Sequence, residues 1–472
     1  MSRIVELTAL EVQEKSSMTI SKDIFRAYDI RGIVDKALTD EAAYLIGLAY
    51  GSEVRDQGSN VVVHGRDGRL TSTRLSKKLV EGLLATGCDV IDVGEVPSPV
   101  LYYGTHVLSG ESGIMLTASH NPPEYNGMKM IINGRTLAGD EIQHLYQRII
   151  NQDFVRGQGR YHEEDIVEKY FNQITSSIPV NKKYKIVIDC GNGIAGKIAP
   201  ELFRRLGCEI IEMYCDVDGT FPNHDPDPSD LKNLEDLIQA VKDEKADMGF
   251  AFDGDGDRLY VISKDGELIF PDRILMLYAK DVLKREPGAT IVYDVKSTRY
   301  LDGVIKEHGG KPLMSRTGHS FIKATIKETG AALAGEMSGH TFFKERWYGF
   351  DDGTYSGARL LEILSKENIS LEDAVAQFPT SESTPEIKLY VDEDKKFGYV
   401  ERLTQEADFG DGKINTLDGL RVEFDNGWGL VRVSNTTPCL ILRFEADDSK
   451  ALNGIVNHFK QEMLKIDKAL MF

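Results

Sequence analysis

Three stretches of this chain repeat one pattern, and that repetition limits the folds open to it. Asn60-Val61-Val62-Val63-His64 runs into Gly65-Arg66-Asp67-Gly68, then a helical stretch, then Gly87-Cys88-Asp89-Val90-Ile91. Lys185-Ile186-Val187-Ile188-Asp189 runs into Cys190-Gly191-Asn192-Gly193, then a helical stretch, then Gly207-Cys208-Glu209-Ile210-Ile211. Thr290-Ile291-Val292-Tyr293-Asp294 runs into Val295-Lys296-Ser297, then a helical stretch, then Gly309-Gly310. A β-branched run, a polar turn, a helix and a glycine stop together mark a β-α-β unit. The starts, Val61, Ile186 and Ile291, lie 125 and 105 residues apart, which predicts three related α/β domains in tandem. The end of the chain differs. Strand-like runs at 386–391, 419–425, 428–434 and 439–445, a polar helix and a closing amphipathic helix at 448–466 predict a C-terminal α+β domain. The expected boundaries are 1–164 (with 1–20 as a mobile extension or peripheral helix), 165–267, 268–379 and 380–472, with 380–385 as the last linker.

Length agrees with this count, since 472 residues at about 150 per domain give three or four domains. The net charge of −19 disfavours a nucleic-acid partner, which needs a basic footprint. A small anionic substrate remains open, because a local cationic cleft overrides a negative global field. Cys88, Cys190, Cys208, Cys215 and Cys439 are odd in number and scattered, without a disulfide framework. No apolar run approaches the ~20 residues of a membrane helix, and residues 1–17 lack a signal-peptide core. The expectation is a cytoplasmic protein without a membrane partner.

Four loops carry candidate chemistry. Ile114-Met115-Leu116 feeds Thr117-Ala118-Ser119-His120-Asn121-Pro122, where the prolines stop a helix from starting at once. Such a turn lifts the Ser119 hydroxyl clear of the sheet, beside His120 and ten residues before Lys129; the bland alternative is a polar turn. Asp253-Gly254-Asp255-Gly256-Asp257-Arg258 sets three carboxylates at alternate positions between strand-like runs, a hard oxygen site suited to Mg²⁺. On a straight strand, alternate residues lie about 6.6 Å apart, so the glycines are needed to let the oxygens converge. An EF-hand is excluded, because Arg258 stands where its glycine belongs and Lys264 where its final glutamate belongs. Gly335-Glu336-Met337-Ser338-Gly339-His340 offers a carboxylate, a hydroxyl and a proton carrier to sugar hydroxyls, or is a satisfied turn. Arg432-Val433-Ser434-Asn435-Thr436-Thr437-Pro438 offers a cation and several donors to a phosphate, or is a plain polar turn. A fifth motif competes with these. Gly191-Asn192-Gly193-Ile194-Ala195-Gly196, with Glu212 downstream, fits a dinucleotide fingerprint and would support a nicotinamide-dependent oxidoreductase. Tight strand-to-helix packing explains its glycines equally well.

Phe25-Arg26-Ala27-Tyr28-Asp29-Ile30-Arg31-Gly32 and then the Ser119, Asp253, Glu336 and Arg432 loops occur in that order. Together they resemble the α-D-phosphohexomutases, from Phe25 to the C-terminus. The Glu336-Met337-Ser338 wording is most similar to the bacterial phosphomannomutase/phosphoglucomutase branch. The resemblance implies four domains around a central cleft, the last like the TATA-binding protein. It implies a phosphoryl group on Ser119, passed to a hexose phosphate and returned from a hexose 1,6-bisphosphate intermediate. It implies Mg²⁺ held by Asp253, Asp255, Asp257 and the phosphoserine. Glu336 and Ser338 would bind sugar hydroxyls, and Arg432, Ser434, Asn435 and Thr436 the non-reacting phosphate. Arg31, His120, Lys129, Arg258 and His340 are the candidates for charge stabilisation and proton transfer. Tyr28, Lys296 and His319 would line the cleft. The expected activity is interconversion of hexose 1- and 6-phosphates of mannose or glucose by a monomer or weak dimer. A non-catalytic sugar-phosphate binding protein is the remaining alternative.

Overall fold

The computed structural model describes residues 20–434 and 437–472. The extension expected before residue 20 falls almost wholly outside the described residues. The three repeats share one strand plan. In the first, Val61–Arg66 lies between two parallel neighbours, Asp89–Glu95 and Ser112–Leu116. Ser112–Leu116 then turns into the antiparallel strand Tyr125–Ile132. In the second, Lys185–Asp189 lies between Glu209–Met213 and Met248–Phe252, and the latter turns into antiparallel Leu259–Ser263. In the third, Thr290–Asp294 lies between Lys311–Ser315 and Leu333–Gly335, and the latter turns into antiparallel Thr341–Phe343. Extra edge strands widen the first sheet to seven strands and the second to five, while the third keeps four.

This plan places the chemistry. In each repeat the functional loop is the hairpin leaving the carboxyl end of the third strand, on the side where open α/β sheets bind ligands. The Ser119, Asp253 and Glu336 loops are therefore equivalent positions of one repeated unit. The fourth sheet is antiparallel, with the order Glu382–Ser383, Cys439–Ala446, Gly427–Val433, Leu420–Phe424, Lys413–Asn415. Ile387–Tyr390 pairs beside it with Cys439–Ala446, and Lys396–Glu406 and Ser449–Ile466 are its two helices. The segment expected to be a linker thus contributes a short edge strand, with Glu382 opposite Ala446.

The strands read as β-branched and apolar because they are covered by helices. Val62, Val63, Ile186, Val187, Ile291 and Val292 are all fully buried, as expected for parallel strands packed on both faces. One core runs through the first three domains, joining Val63 and Tyr170 to Phe203, Phe250, Ile291 and Tyr355. The fourth domain has its own core, built on Leu420, Phe444 and Phe459. The third and fourth domains meet at Trp428, which is fully buried beside Val295 and has the Arg421 guanidinium 3.7 Å above its ring. Among the described residues no helix is long and apolar enough to cross a membrane.

The shared core predicts shared stability. Phe250 is fully buried, with its ring 5.3 Å from that of Phe203, so Phe250→Ala should cost about 3–5 kcal/mol. Trp347 belongs to this core and Trp428 to the contact with the fourth domain. In a Trp428→Phe background, urea unfolding followed by Trp347 fluorescence should shift by that amount. An unshifted midpoint would mean that the three domains do not unfold as one body.

Candidate active site

A cleft of about 150 Å³ collects side chains from all four domains. Tyr28, Arg31, Ser119, His120 and Lys129 come from the first, Arg258 from the second, and Lys296, His319, Glu336, Ser338 and His340 from the third. Arg432 and Ser434 come from the fourth. Asp253, Asp255 and Asp257 lie fully buried beneath it. Asn435 and Thr436 lie outside the described residues.

Ser119 is not lifted into solvent as the sequence suggests; it is 2% exposed, at the floor of the cleft. Its backbone has φ of +50°, a conformation that L-residues hold only when their surroundings impose it. The surroundings here are Arg69. One of its nitrogens donates to the carbonyls of Pro122 (2.7 Å) and Tyr125 (3.1 Å). The other donates to those of Ser119 (2.8 Å) and Asn121 (2.6 Å). Asp67 anchors the guanidinium at 3.2 Å. The loop also presses on the second domain. A Cβ on Gly254 would lie 2.4 Å from the Ser119 carbonyl oxygen, so only glycine allows this approach. Arg69 and Asp67 were missed by sequence reading; they sit in the polar turn after the first repeat strand, where Asp and Arg looked like ordinary turn residues.

The Ser119 hydroxyl donates to Asp253 Oδ2 at 2.8 Å. The three aspartates do converge: their oxygens lie within 4.8 Å of one another. Lys129 Nζ donates to Asp255 at 2.6 Å and Asp257 at 2.5 Å. Despite burial, those carboxylates hold the Lys129 ammonium well above its ordinary pKa. Burial, then Asp257 and Asp255, push the Asp253 carboxyl well above the usual carboxylate range. Asp255 Oδ1 and Asp257 Oδ1 are buried and make no hydrogen bond within the protein. Orphaned carboxylate oxygens at a convergent hard-oxygen site fit a divalent cation.

Arg258 and His340 form the wall above the metal loop. Arg258 Nε donates to His340 Nε2 at 3.0 Å, and His340 Nδ1 lies 3.0 Å from Asp351 Oδ2. Asp351 is fully buried and also pairs with Lys323 at 2.7 Å. This carboxylate, too, was not singled out from sequence; the adjacent Asp351-Asp352 pair is the only mark it leaves. His319 stacks 5.7 Å from His340, and Tyr28 meets His319 edge-on at 5.5 Å. His120 pairs with Asp227 at 3.2 Å; burial first, then Arg258, lowers its pKa. Arg31 lies beneath the Ser119 loop, bonded to Asp29 and to the Asn121 side chain.

The Glu336 and Arg432 loops are equally well anchored. Glu336 Oε1 accepts from Gly318 N at 2.6 Å. Arg432 donates to Asp418 at 3.0 Å, and Asp418 also accepts from Thr317 N at 3.0 Å. Lys296 pairs with Glu386, so two domains meet across the cleft mouth. The glycine motif resolves against a dinucleotide. A Cβ on Gly193 would lie 2.8 Å from Gly254 Cα, and one on Gly196 would lie 1.9 Å from the Cys215 carbonyl oxygen. Gly193 thus packs against the aspartate loop and Gly196 against the backbone at Cys215, so the glycines serve close packing.

Comparison with known proteins agrees with this architecture. The phosphoglucomutase/phosphomannomutase alpha/beta/alpha domains I, II and III match residues 22–156, 168–266 and 270–381, and the C-terminal domain matches 386–462. A phosphomannomutase/phosphoglucomutase of Pseudomonas aeruginosa is 55% identical over 452 residues, covering 96% of this chain and 98% of that protein. A phosphoglucomutase of Neisseria gonorrhoeae is 51% identical, covering 94% and 97%. A solved phosphoglucomutase/phosphomannomutase family structure from Burkholderia thailandensis superposes with a TM-score of 0.91 at 49% identity, covering 95% and 98%. The chain belongs to the phosphoglucomutase/phosphomannomutase family.

Glu336 gives this site a pH signature. Burial pushes its pKa up from 4.5 to about 6, with His340 opposing and Asp294 adding to the rise. The neutral form is favoured by the fold, so stability is lost as pH rises from 4.5 through about 6. Glu336→Gln keeps the acceptor for Gly318 and removes the charge. It should therefore stabilise by about 2 kcal/mol above pH 7 and by nothing near pH 4. Melting curves across that range decide; a pH-independent difference would refute the assignment.

Proposed function

We propose that this chain is a hexose-phosphate mutase that exchanges the 1- and 6-phosphates of glucose and mannose through a phosphoryl group on Ser119. The observation that carries the reading is the Ser119 hydroxyl, held at the floor of a four-domain cleft against the aspartate cluster. The aspartates Asp253, Asp255 and Asp257, with the phosphorylated Ser119, would hold Mg²⁺. That ion, when bound, supplies positive charge beside the phosphoryl oxygens.

The chain's own groups do the rest. A sugar hydroxyl oxygen attacks the phosphorus, its new O–P bond forms, and the Ser119 Oγ–P bond breaks. The hydroxyl proton passes to a base on the wall. His340 suits that role, since Asp351 holds its Nδ1 and its Nε2 faces Arg258; Arg258 turning to the substrate phosphate frees Nε2. Lys129, Arg258 and Arg31 offset the charge of the transferring group, so that catalysis is largely positioning and electrostatics. The hexose 1,6-bisphosphate then turns end for end and returns its other phosphate to Ser119. Glu336 and Ser338 read sugar hydroxyls other than that at C2, so glucose and mannose are poorly distinguished. Arg432 and Ser434, with Asn435 and Thr436, hold the non-reacting phosphate, while Tyr28, Lys296 and His319 shape the cleft.

Ser119→Ala should abolish exchange between the two phosphate positions with melting unchanged, and intact mass should show phosphate on the wild type alone. Retention of more than a few per cent of the rate would remove the phosphoserine mechanism. Binding of hexose phosphate by a wild type that never exchanges it would leave only a binding protein.

Because the bisphosphate is held in two orientations, Arg432 serves both. Arg432→Ala loses a charge-assisted contact worth about 1.5–3 kcal/mol, roughly ten- to a hundredfold in kcat/KM. Steady-state kinetics should show the loss from both directions, with Ser119 phosphorylation intact. A loss confined to one substrate would rule out a shared clamp.

A further inference from the structure

A second cavity, of about 240 Å³, lies between the first and third domains, behind the active-site wall. Its charge runs against that of the chain. Acidic residues outnumber basic ones 75 to 56 in the sequence, yet among the described residues no carboxylate lines this cavity. Arg135, Lys323, Lys327 and Lys344 line it instead. Arg135 is paired with Glu141. Lys327 and Lys344 are exposed and make no ion pair among the described residues. These two ammonium groups stand in the cavity lining without counter-charges, which an anion would supply.

The cavity also has an aromatic side. His106 stacks on Tyr348 with ring centres 4.7 Å apart and an interplanar angle of 18°. Phe350 lies 6.1 Å from Tyr348 and nearly parallel to it, at 3°. His106 itself is exposed. Parallel rings beside ammonium groups suit a ligand with a planar ring and a phosphate.

One of the lysines lines the cavity while its ammonium is buried on the far side against Asp351. Lys323 Nζ lies 3.9 Å over the Tyr102 ring and 2.7 Å from Asp351 Oδ1. Asp351 Oδ2 is 3.0 Å from His340 Nδ1, and His340 lines the active cleft. An anion in the cavity draws the Lys323 ammonium away from Asp351 only if its side chain swings outward, and that swing would disturb the carboxylate that orients His340.

We propose that this cavity is an effector site for a small phosphorylated molecule bearing a planar ring, a nucleotide in chemical class, coupled to the active cleft through Lys323, Asp351 and His340. The test uses the full-length protein, with AMP and inorganic phosphate as separate probes, by titration calorimetry. AMP should bind the wild type. Lys327→Ala/Lys344→Ala should weaken it roughly ten- to a hundredfold, with melting temperature and hexose-phosphate KM unchanged. Arg432→Ala, in the active cleft, should leave AMP affinity within about twofold. Saturating AMP should lower kcat with KM unchanged. Absence of AMP binding at millimolar concentration would overturn the proposal. So would AMP binding that ignores the two lysines and competes with hexose phosphate, because the nucleotide would then be in the active cleft. Inorganic phosphate binding as tightly as AMP would remove the planar ring from the ligand class. A kcat unmoved by saturating AMP would remove the coupling.

Discussion

The buried ammonium of Lys129 is the interaction on which the rest of the site depends. Three carboxylates held within 4.8 Å in a fully buried position repel one another strongly. Lys129 crosses from the first domain's antiparallel strand and donates to two of them, while the Ser119 hydroxyl meets the third. The same contacts that balance the charge therefore fasten the first domain to the second. Removing one partner from such a cluster leaves an unpaired buried charge, which costs far more than the pair contributes. Electrostatics and domain docking are one problem here, solved by one set of atoms.

Around that cluster the repeated strand plan does the placing. Each of three domains delivers its hairpin to the same side, so the Ser119 hydroxyl, the aspartate cluster and the Glu336 carboxylate arrive at one cleft without long loops. Long side chains then bridge neighbouring units. Arg69 grips four carbonyls of the Ser119 loop and lies 4.9 Å from the Phe221 ring of the second domain. Asp351 spans from His340 to Lys323. Such groups hold geometry tight enough for phosphoryl transfer, where most of the catalysis is positioning.

Much of this was readable in the chain. The three β-branched runs give the tandem α/β plan because parallel strands covered on both faces must be apolar throughout. The aspartate loop points to a cation site because three carboxylates at alternate positions repel one another unless positive charge sits among them. The readable part ends where function depends on contacts between distant segments. Arg69 acts on carbonyls 50 to 56 residues away, and backbone oxygens carry no sequence signal. Asp351 looks like any acid in a Gly-Phe-Asp-Asp-Gly turn. The turn at Ser119 foretells a hydroxyl clear of the sheet, but says nothing of the second domain that buries it. The dinucleotide fingerprint proves a decoy, in line with the packing explanation open from the sequence: its glycines answer a neighbouring backbone rather than a ligand.

The core that runs through three domains also bears on how the chain is made. Its members extend from Val63 to Phe378. A ribosome releasing this chain from its N-terminus exposes the apolar faces of the first two domains well before the residues that cover them exist. Each of the two has a core of its own, around Leu45 and Met128 in the first and Leu237 and Ile262 in the second, but the face that belongs to the shared core stays open, so the nascent protein must spend that interval with unburied surface, the situation in which chaperone binding or aggregation is decided. The fourth domain is different: its main buried cluster draws on residues from Tyr399 onward, and by the time Trp428 and Leu430 emerge, the Val295 they pack against has already been made.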